Sequence, residues 1–179
     1  MLTENEIKSL VFGLLIAGHE TTTNAAGNLF LELMKRPEEW AKIVQRPELV
    51  ANAVEEGLRY ASSVVAWRRT AKVDVTIAGR ISPRATGSSW PWPPPIMTAP
   101  VSMTRKHSMW NVAIRASTSL SGAGSTPACA PLARLELKVL LEELSARFPD
   151  MALVPGQEID WTKTISFRGP SQLRVRLRG

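Results

Sequence analysis

The stretch Ala17-Gly18-His19-Glu20-Thr21-Thr22-Thr23-Asn24 sets a carboxylate directly beside an alcohol. An acid and a hydroxyl at one point are the parts of a proton relay. The setting is unusual, because the surrounding pattern is helical. Three consecutive threonines lose side-chain freedom in a helix, and Gly18 weakens the same turn. Threonine hydroxyls can bond back to the preceding turn and bend it. His19-Glu20 is not a zinc-binding pair, since no second histidine follows four residues on. A solvated polar face accounts for the same residues equally well.

Two other pairings could carry chemistry. Glu56 and Arg59 are three apart and share a helix face, where they can form an ion pair. An ordinary surface pair is the plainer reading. Arg68 and Arg69 head an extended segment, and their guanidinium forks could hold a carboxylate or phosphate. A solvated strand end is the plainer reading there. Cys129 is the only cysteine. An internal disulfide is therefore excluded, and a reducing cytoplasm is the expected location.

The elements that must position these groups follow from period and punctuation. Thr3 and Glu6 form a capping-box start, and Ile7, Leu10, Val11, Leu14 and Leu15 keep helical spacing. This helix should run to about Lys35, where Pro37 ends it. Short helices are predicted from Pro37 and from Pro47, the latter carrying Glu56 and Arg59. Val73, Val75 and Ile77 alternate, which predicts a strand or hairpin closing at Gly79. No period is sustained from Ile81 to Ala128. Pro131 opens a helix with Leu137, Leu140, Leu141 and Leu144 on one face. Short strands are predicted in the tail, in "ISFRG" and "QLRVRLR".

The 179 residues carry a formal net charge of +6 and suit one domain. The longest apolar run, "LVFGLLIAG", is too short to span a bilayer. Glu4 and Glu6 precede it where a secretory leader would be basic. No membrane partner is expected. No Asp or Glu occurs between Asp74 and Glu136, and Pro and Ser gather in that gap. The pI near 10 and the "RVRLR" tail invite an alternative reading as a basic nucleic-acid-binding or scaffold protein. Against it, the tail arginines alternate with Leu and Val as on one solvated strand face. No basic patch interleaved with aromatics appears, so no nucleic-acid partner is expected.

The order of the pieces is more specific than any one of them. "AGHETT" in a long helix, then "ExxR", then an arginine five residues before "DVTIAG", then "APLARLELKVLLEEL", resembles the cytochrome P450 family, bacterial soluble type. The resemblance implies the C-terminal part of that fold, mainly α with small β elements. It implies haem b as cofactor and insertion of one oxygen atom of O₂ into a small organic substrate. Electrons would come from NAD(P)H through a ferredoxin-type or similar donor. Glu20 and Thr21 are then the distal acid–alcohol pair, with Ala17 and Gly18 beside the haem. Glu56 and Arg59 are the structural pair, and Arg69 binds a haem propionate. Cys129 is the only candidate for the axial thiolate.

The departures are equally specific. Family members are more than twice as long, so a truncated and inactive form is expected. The family has a phenylalanine-glycine loop with histidine and cysteine, followed by "LGAPLAR". Here Cys129 abuts "APLAR", and "SLSGAGSTP" before it has neither the phenylalanine nor the histidine. A frame argument explains this. Regrouping codons one base earlier lets "RATGSSWPWPPPIMTAPVSMTRKH" read "AGDWVVLALAAANHDGARFDDPEA", and lets "GAGSTPAC" yield "GIHACL". One base lost near Arg80 and two after Cys129 would restore the phase, and would make Cys129 an accident of the shifted frame. A natural Pro/Ser-rich insertion is the competing account.

Three stretches of one domain follow: 1–80 with the distal helix, the ExxR helix and a strand; 81–129, irregular and out of frame; and 130–179 with the proximal helix and terminal strands. No stable thiolate-ligated haem is expected. Residues from about Ser82 to Ala128 should lack cooperative structure. The first helix is apolar on more than one face, so the chain should associate or fold loosely.

Overall fold

The computed structural model describes residues 1–77, 79–85, 87–91 and 129–177. Helix α1 spans Glu4–Met34 without a break. Thr3 caps it as the spacing predicts: its hydroxyl accepts from the Glu6 amide at 3.3 Å, and the Glu6 carboxylate accepts from the Thr3 amide at 2.7 Å. The Glu6 carboxylate also accepts from the Thr3 hydroxyl at 2.8 Å, and the amide and hydroxyl of Thr3 together hold the Glu6 carboxyl below its usual range. Helix α2 follows at Pro37–Gln45, a 3₁₀ turn at Pro47–Leu49, and helix α3 at Val50–Tyr60. Pro37 and Pro47 each sit in a first turn, where the missing N–H costs nothing.

The core lies where the C-terminal half of α1 meets its neighbours. Leu29, Phe30, Leu33 and Met34 pack with Trp40 and Ile43 of α2 and with Ala53, Val54 and Leu58 of α3. Helix α4, Cys129–Arg147, adds Leu137 and Leu141. Of the four leucines expected on one face of α4, these two are buried, Leu144 is half-buried and Leu140 is exposed. Trp40 Nε1 donates to the Pro149 carbonyl at 2.8 Å, tying α2 to the segment after α4. The N-terminal half of α1 leaves this core, and residues 1–19 are all exposed. Among the described residues no helix is long and apolar enough to cross a membrane.

The strands form three antiparallel pairs. Strand β1 (Ala66–Thr70) pairs with β4 (Gly87–Pro91), and β2 (Val75–Ile77) with β3 (Arg80–Ser82). Gly79 stands in the β2–β3 turn at φ +76°, a backbone region that glycine enters without strain. Strand β5 (Ala152–Leu153) pairs with β6 (Val175–Arg176).

Four sequence expectations are corrected. Arg68 and Arg69 lie inside β1, not at its head. Regular structure continues past Ile81, because β4 has β1 as partner, and pairing with a distant strand needs no periodic signal of its own. Helix α4 begins at Cys129, two residues before Pro131, which falls in the tolerated first turn. "ISFRG" is no strand: Phe167 makes only an isolated bridge with Val64. The remainder of the acid-free stretch, residues 92–128, lies outside the described residues, as does the expectation placed on it.

The C-terminal segment is clamped to α1 by amides. Asn28 is buried, and its Nδ2 donates to the Ala61 carbonyl at 3.0 Å and the Arg168 carbonyl at 2.9 Å. One turn earlier, buried Asn24 lies against Gly169, where an added Cβ would overlap its side-chain amide. Gly169→Ala must therefore push Asn24 or the 161–170 segment aside. It should destabilise the chain by about 1–3 kcal/mol. Chemical denaturation checks this, and a midpoint equal to wild type would refute the clamp.

Candidate functional site

Glu20 and Thr21 occupy the point where α1 passes from solvent into the core. Ala17, Gly18 and His19 are exposed, Glu20, Thr21 and Thr22 are half-buried, and Asn24 is buried. Thr21 Oγ1 donates to the Ala17 carbonyl one turn back at 2.6 Å. That bond lets a β-branched hydroxyl residue sit in mid-helix. It commits the hydroxyl proton to Ala17 and leaves the lone pairs of Oγ1 as acceptors.

Glu56 and Arg59 meet on α3. Arg59 Nε donates to Glu56 Oε2 at 2.6 Å and Nη2 to Oε1 at 2.7 Å, a two-pronged contact. The Glu56 side chain is fully buried and that of Arg59 only 13% exposed. The surface reading of this pair is therefore excluded. The hydrogen bonds it donates to Glu56 hold the Arg59 guanidinium above its already high ordinary pKa, against the opposing effect of burial. The neighbouring Glu55 pairs with Arg134 and joins α3 to α4.

Arg69 stands opposite Ser88 in the β1–β4 register, and its side chain lies outside the described residues. Cys129 is the first residue of α4 and is exposed. Among the described residues no three His, Cys, Asp or Glu side chains gather closely enough to hold a metal ion.

A cleft of about 750 Å³ opens between α1 and α4. Helix α1 contributes Gly18, His19, Thr22, Thr23 and Ala26 to its wall. Helix α4 contributes the stretch from Leu135 to Glu143, mainly leucine and valine with two glutamates. Ala17, Glu20, Thr21 and Cys129 are not in that wall. The first α4 residue that lines it stands six positions beyond Cys129, roughly 9 Å along the helix axis. The expected distal residues thus share one turn of α1, Glu56 and Arg59 form their own buried pair, and Cys129 joins neither group.

Sequence reasoning missed the cleft, the Glu55–Arg134 bridge and the two asparagines. Asn24 and Asn28 carried a usable signal, being amides four apart in the mainly apolar C-terminal part of α1. The bridge carried none, because its partners are 79 residues apart.

The cytochrome P450 family model matches residues 1–86. A mycinamicin IV hydroxylase/epoxidase of Micromonospora griseorubida is 34% identical over 97% of this chain and 45% of its own length. The polyketide biosynthesis cytochrome P450 PksS of Bacillus subtilis is 36% identical over 98% of this chain and 44% of its own length. The crystal structure of CYP109E1 from Bacillus megaterium, in complex with testosterone, superposes with a TM-score of 0.87 at 30% identity. It covers all of this chain and half of its own. The chain thus spans less than half the length of these curated relatives. The matches leave the nucleic-acid-binding or scaffold reading without support.

Proposed function

Because the chain belongs to the cytochrome P450 family, we propose that it derives from a haem-thiolate monooxygenase and carries that enzyme's oxygen-activating helix. The parent reaction inserts one oxygen atom of O₂ into a small organic substrate, with electrons from a ferredoxin-type donor. The observation that carries this reading is positional. Glu20, Thr21, Glu56, Arg59 and Arg69 all fall within residues 1–86, the stretch that the family model matches. Glu20 and Thr21 are the proposed acid–alcohol pair, Ala17 and Gly18 the neighbours of the cofactor, and Arg69 its anchor. The three-part division at residues 80 and 129 is kept, with β4 as an ordered start of the middle part. A cytoplasmic location is proposed from the single cysteine.

In this family haem supplies oxygen chemistry through an axial thiolate, which pushes electron density toward O–O cleavage. The residues present do not fit that group. The one thiol of the chain, on Cys129, stands exposed on the first turn of α4, outside the cleft between α1 and α4. We therefore propose that this chain does not itself turn over. Sequencing the DNA across the codons for Arg80 and Cys129 tests the frame-shift account directly.

The roles of Glu20 and Thr21 are tested where the rest of the site is intact. In a chimera, residues 1–77 replace the matched segment of the Bacillus subtilis relative. The chimera should retain oxygen insertion. Thr21→Ala or Glu20→Gln in it should lower coupled product formation about 100-fold, the ordinary reach of a positioned proton donor. Full coupling in both variants would remove the pair from the chemistry.

A further inference from the structure

Two buried side-chain atoms of α1 lack the partners that burial demands. Asn24 is 6% exposed and Asn28 3%. The Asn24 Nδ2 donor and the Asn28 Oδ1 acceptor are both closed to solvent, and neither has a hydrogen-bond partner among the described residues. A buried donor or acceptor left unmade is costly, so such atoms mark an interaction that the rest of the fold does not supply. One turn back stands the Glu20 carboxylate, half-buried, with no ion pair or hydrogen bond of its own among the described residues. Glu20, Asn24 and Asn28 are spaced by four along an unbroken helix. That spacing puts neighbours about 5–6 Å apart between Cβ atoms on one face.

The far end of this row is fixed. Asn28 Nδ2 donates to the Ala61 and Arg168 carbonyls, so both its protons are spent and its Oδ1 is left as an acceptor. The middle of the row is held from the side. A Cβ on Gly169 would come within 2.2 Å of Asn24 Oδ1, and one on Gly27 within 3.0 Å of Pro170. The 161–170 segment thus sits against the oxygen of the Asn24 amide. The nitrogen carries two protons, and the row offers two acceptors: Asn28 Oδ1 four residues on, and the Glu20 carboxylate four residues back.

We infer that Asn24 is the positioning residue of Glu20. Its Nδ2 donates one N–H to Asn28 Oδ1 and the other to the Glu20 carboxylate, so the row runs from the Arg168 carbonyl to the acid. The inference rests on the role proposed above for Glu20, and it says how that acid is held. A free glutamate side chain has many rotamers, and a fixed donor one turn away selects among them. The carboxylate is then kept along α1 beside Thr21, whose hydroxyl proton is committed to the Ala17 carbonyl and whose lone pairs stay open as acceptors. A bond to an ionised acceptor is about twice as strong as one to a neutral group, which selects the carboxylate over the Thr21 hydroxyl three residues back. The bond lies within one helix, so it does not depend on what else covers α1.

Nuclear magnetic resonance of the isotope-labelled full chain tests the contact. Asn24 Nδ2 should show couplings across hydrogen bonds to Glu20 Cδ and to Asn28 Cγ. Its protons should exchange with solvent about tenfold or more faster in Glu20→Ala. Glu20→Gln keeps one acceptor and should give an intermediate rate, and Thr21→Val the wild-type rate. Coupling to Asn28 alone, or amide protons that exchange as in a free side chain, would overturn the inference whatever Glu20 does in catalysis. The chimera described above tests the consequence. There Asn24→Ala should lower coupled product formation about tenfold, and should add nothing in the Glu20→Gln background. An equal further loss in that background would mark Asn24 as a packing residue and overturn the positioning role. Full coupling in Glu20→Gln would instead remove the role of Glu20 itself, and the function of Asn24 with it, so the two failures are read apart.

Discussion

Reduced under carbon monoxide, the purified chain supplied with haem gives no thiolate-type Soret band, and Cys129→Ser leaves its spectrum unchanged. The reason lies in the register of α4. Leu137, Leu141 and Ser145 are buried against the core, and Arg134 is held by Glu55 on α3. These anchors fix how the helix is rotated and how far along its axis it sits. The family pattern places its cysteine two residues further ahead of "APLAR" than Cys129. In a helix two residues are about 3 Å of rise and about 200° of rotation. With α4 anchored, the sulfur of Cys129 is carried to another side of the helix. A strong thiolate-type band that Cys129→Ser abolishes would show that residues ahead of α4 bring the sulfur to the iron, and would overturn the argument.

Glu56→Ala abolishes the cooperative unfolding transition. The carboxylate is completely buried, and both its oxygens accept from Arg59. Removing one member of a buried pair costs about 3–5 kcal/mol, because the remaining charge loses its counter-ion while staying out of water. An ordinary domain has about 5–15 kcal/mol in all. This one stands at the low end, since the first half of α1 exposes its apolar side chains. Glu56→Gln separates charge from volume: it keeps the shape and one acceptor, and should be destabilised less than Glu56→Ala but remain clearly below wild type. Thermal melting by circular dichroism reads both. A Glu56→Ala melt within 1 kcal/mol of wild type would mean that Arg59 finds equivalent acceptors elsewhere, and that the pair does not hold α3.

Legibility tracked the range of the interaction that makes each element. The capping box of α1, the proline starts of α2 and the 3₁₀ turn, and the Gly79 turn are decided within four or five residues, and the sequence carries them openly. The face of α4 was legible in part: Leu137 and Leu141 lie on the buried side, while Leu140 turns to the cleft. Strand β4 was not legible. Gly87-Ser88-Ser89-Trp90-Pro91 has no alternation, and it is a strand only because β1 supplies its hydrogen bonds. Of the candidate site, "AGHETT" and "ExxR" were visible as types and spacing. Burial decided what spacing alone left open, since Glu56 and Arg59 could equally have been a surface pair. The cleft had no sequence signal, because its two walls are over a hundred residues apart.

The amide of Asn28 has a consequence for the order in which the molecule can be made. One of its two protons goes to the carbonyl of Ala61, and the other to the carbonyl of Arg168, 140 residues later in the chain. During synthesis α2 and α3 can settle on α1 soon after it has left the ribosome. The strip of α1 that carries Asn24 and Asn28 must wait until residues 168 and 169 have emerged. Until then the nascent chain holds a half-closed core and a pair of wet amides ready for a segment not yet translated. Closing so long a loop is a late and slow event. The segment around Arg168 and Gly169 acts as the latch of α1.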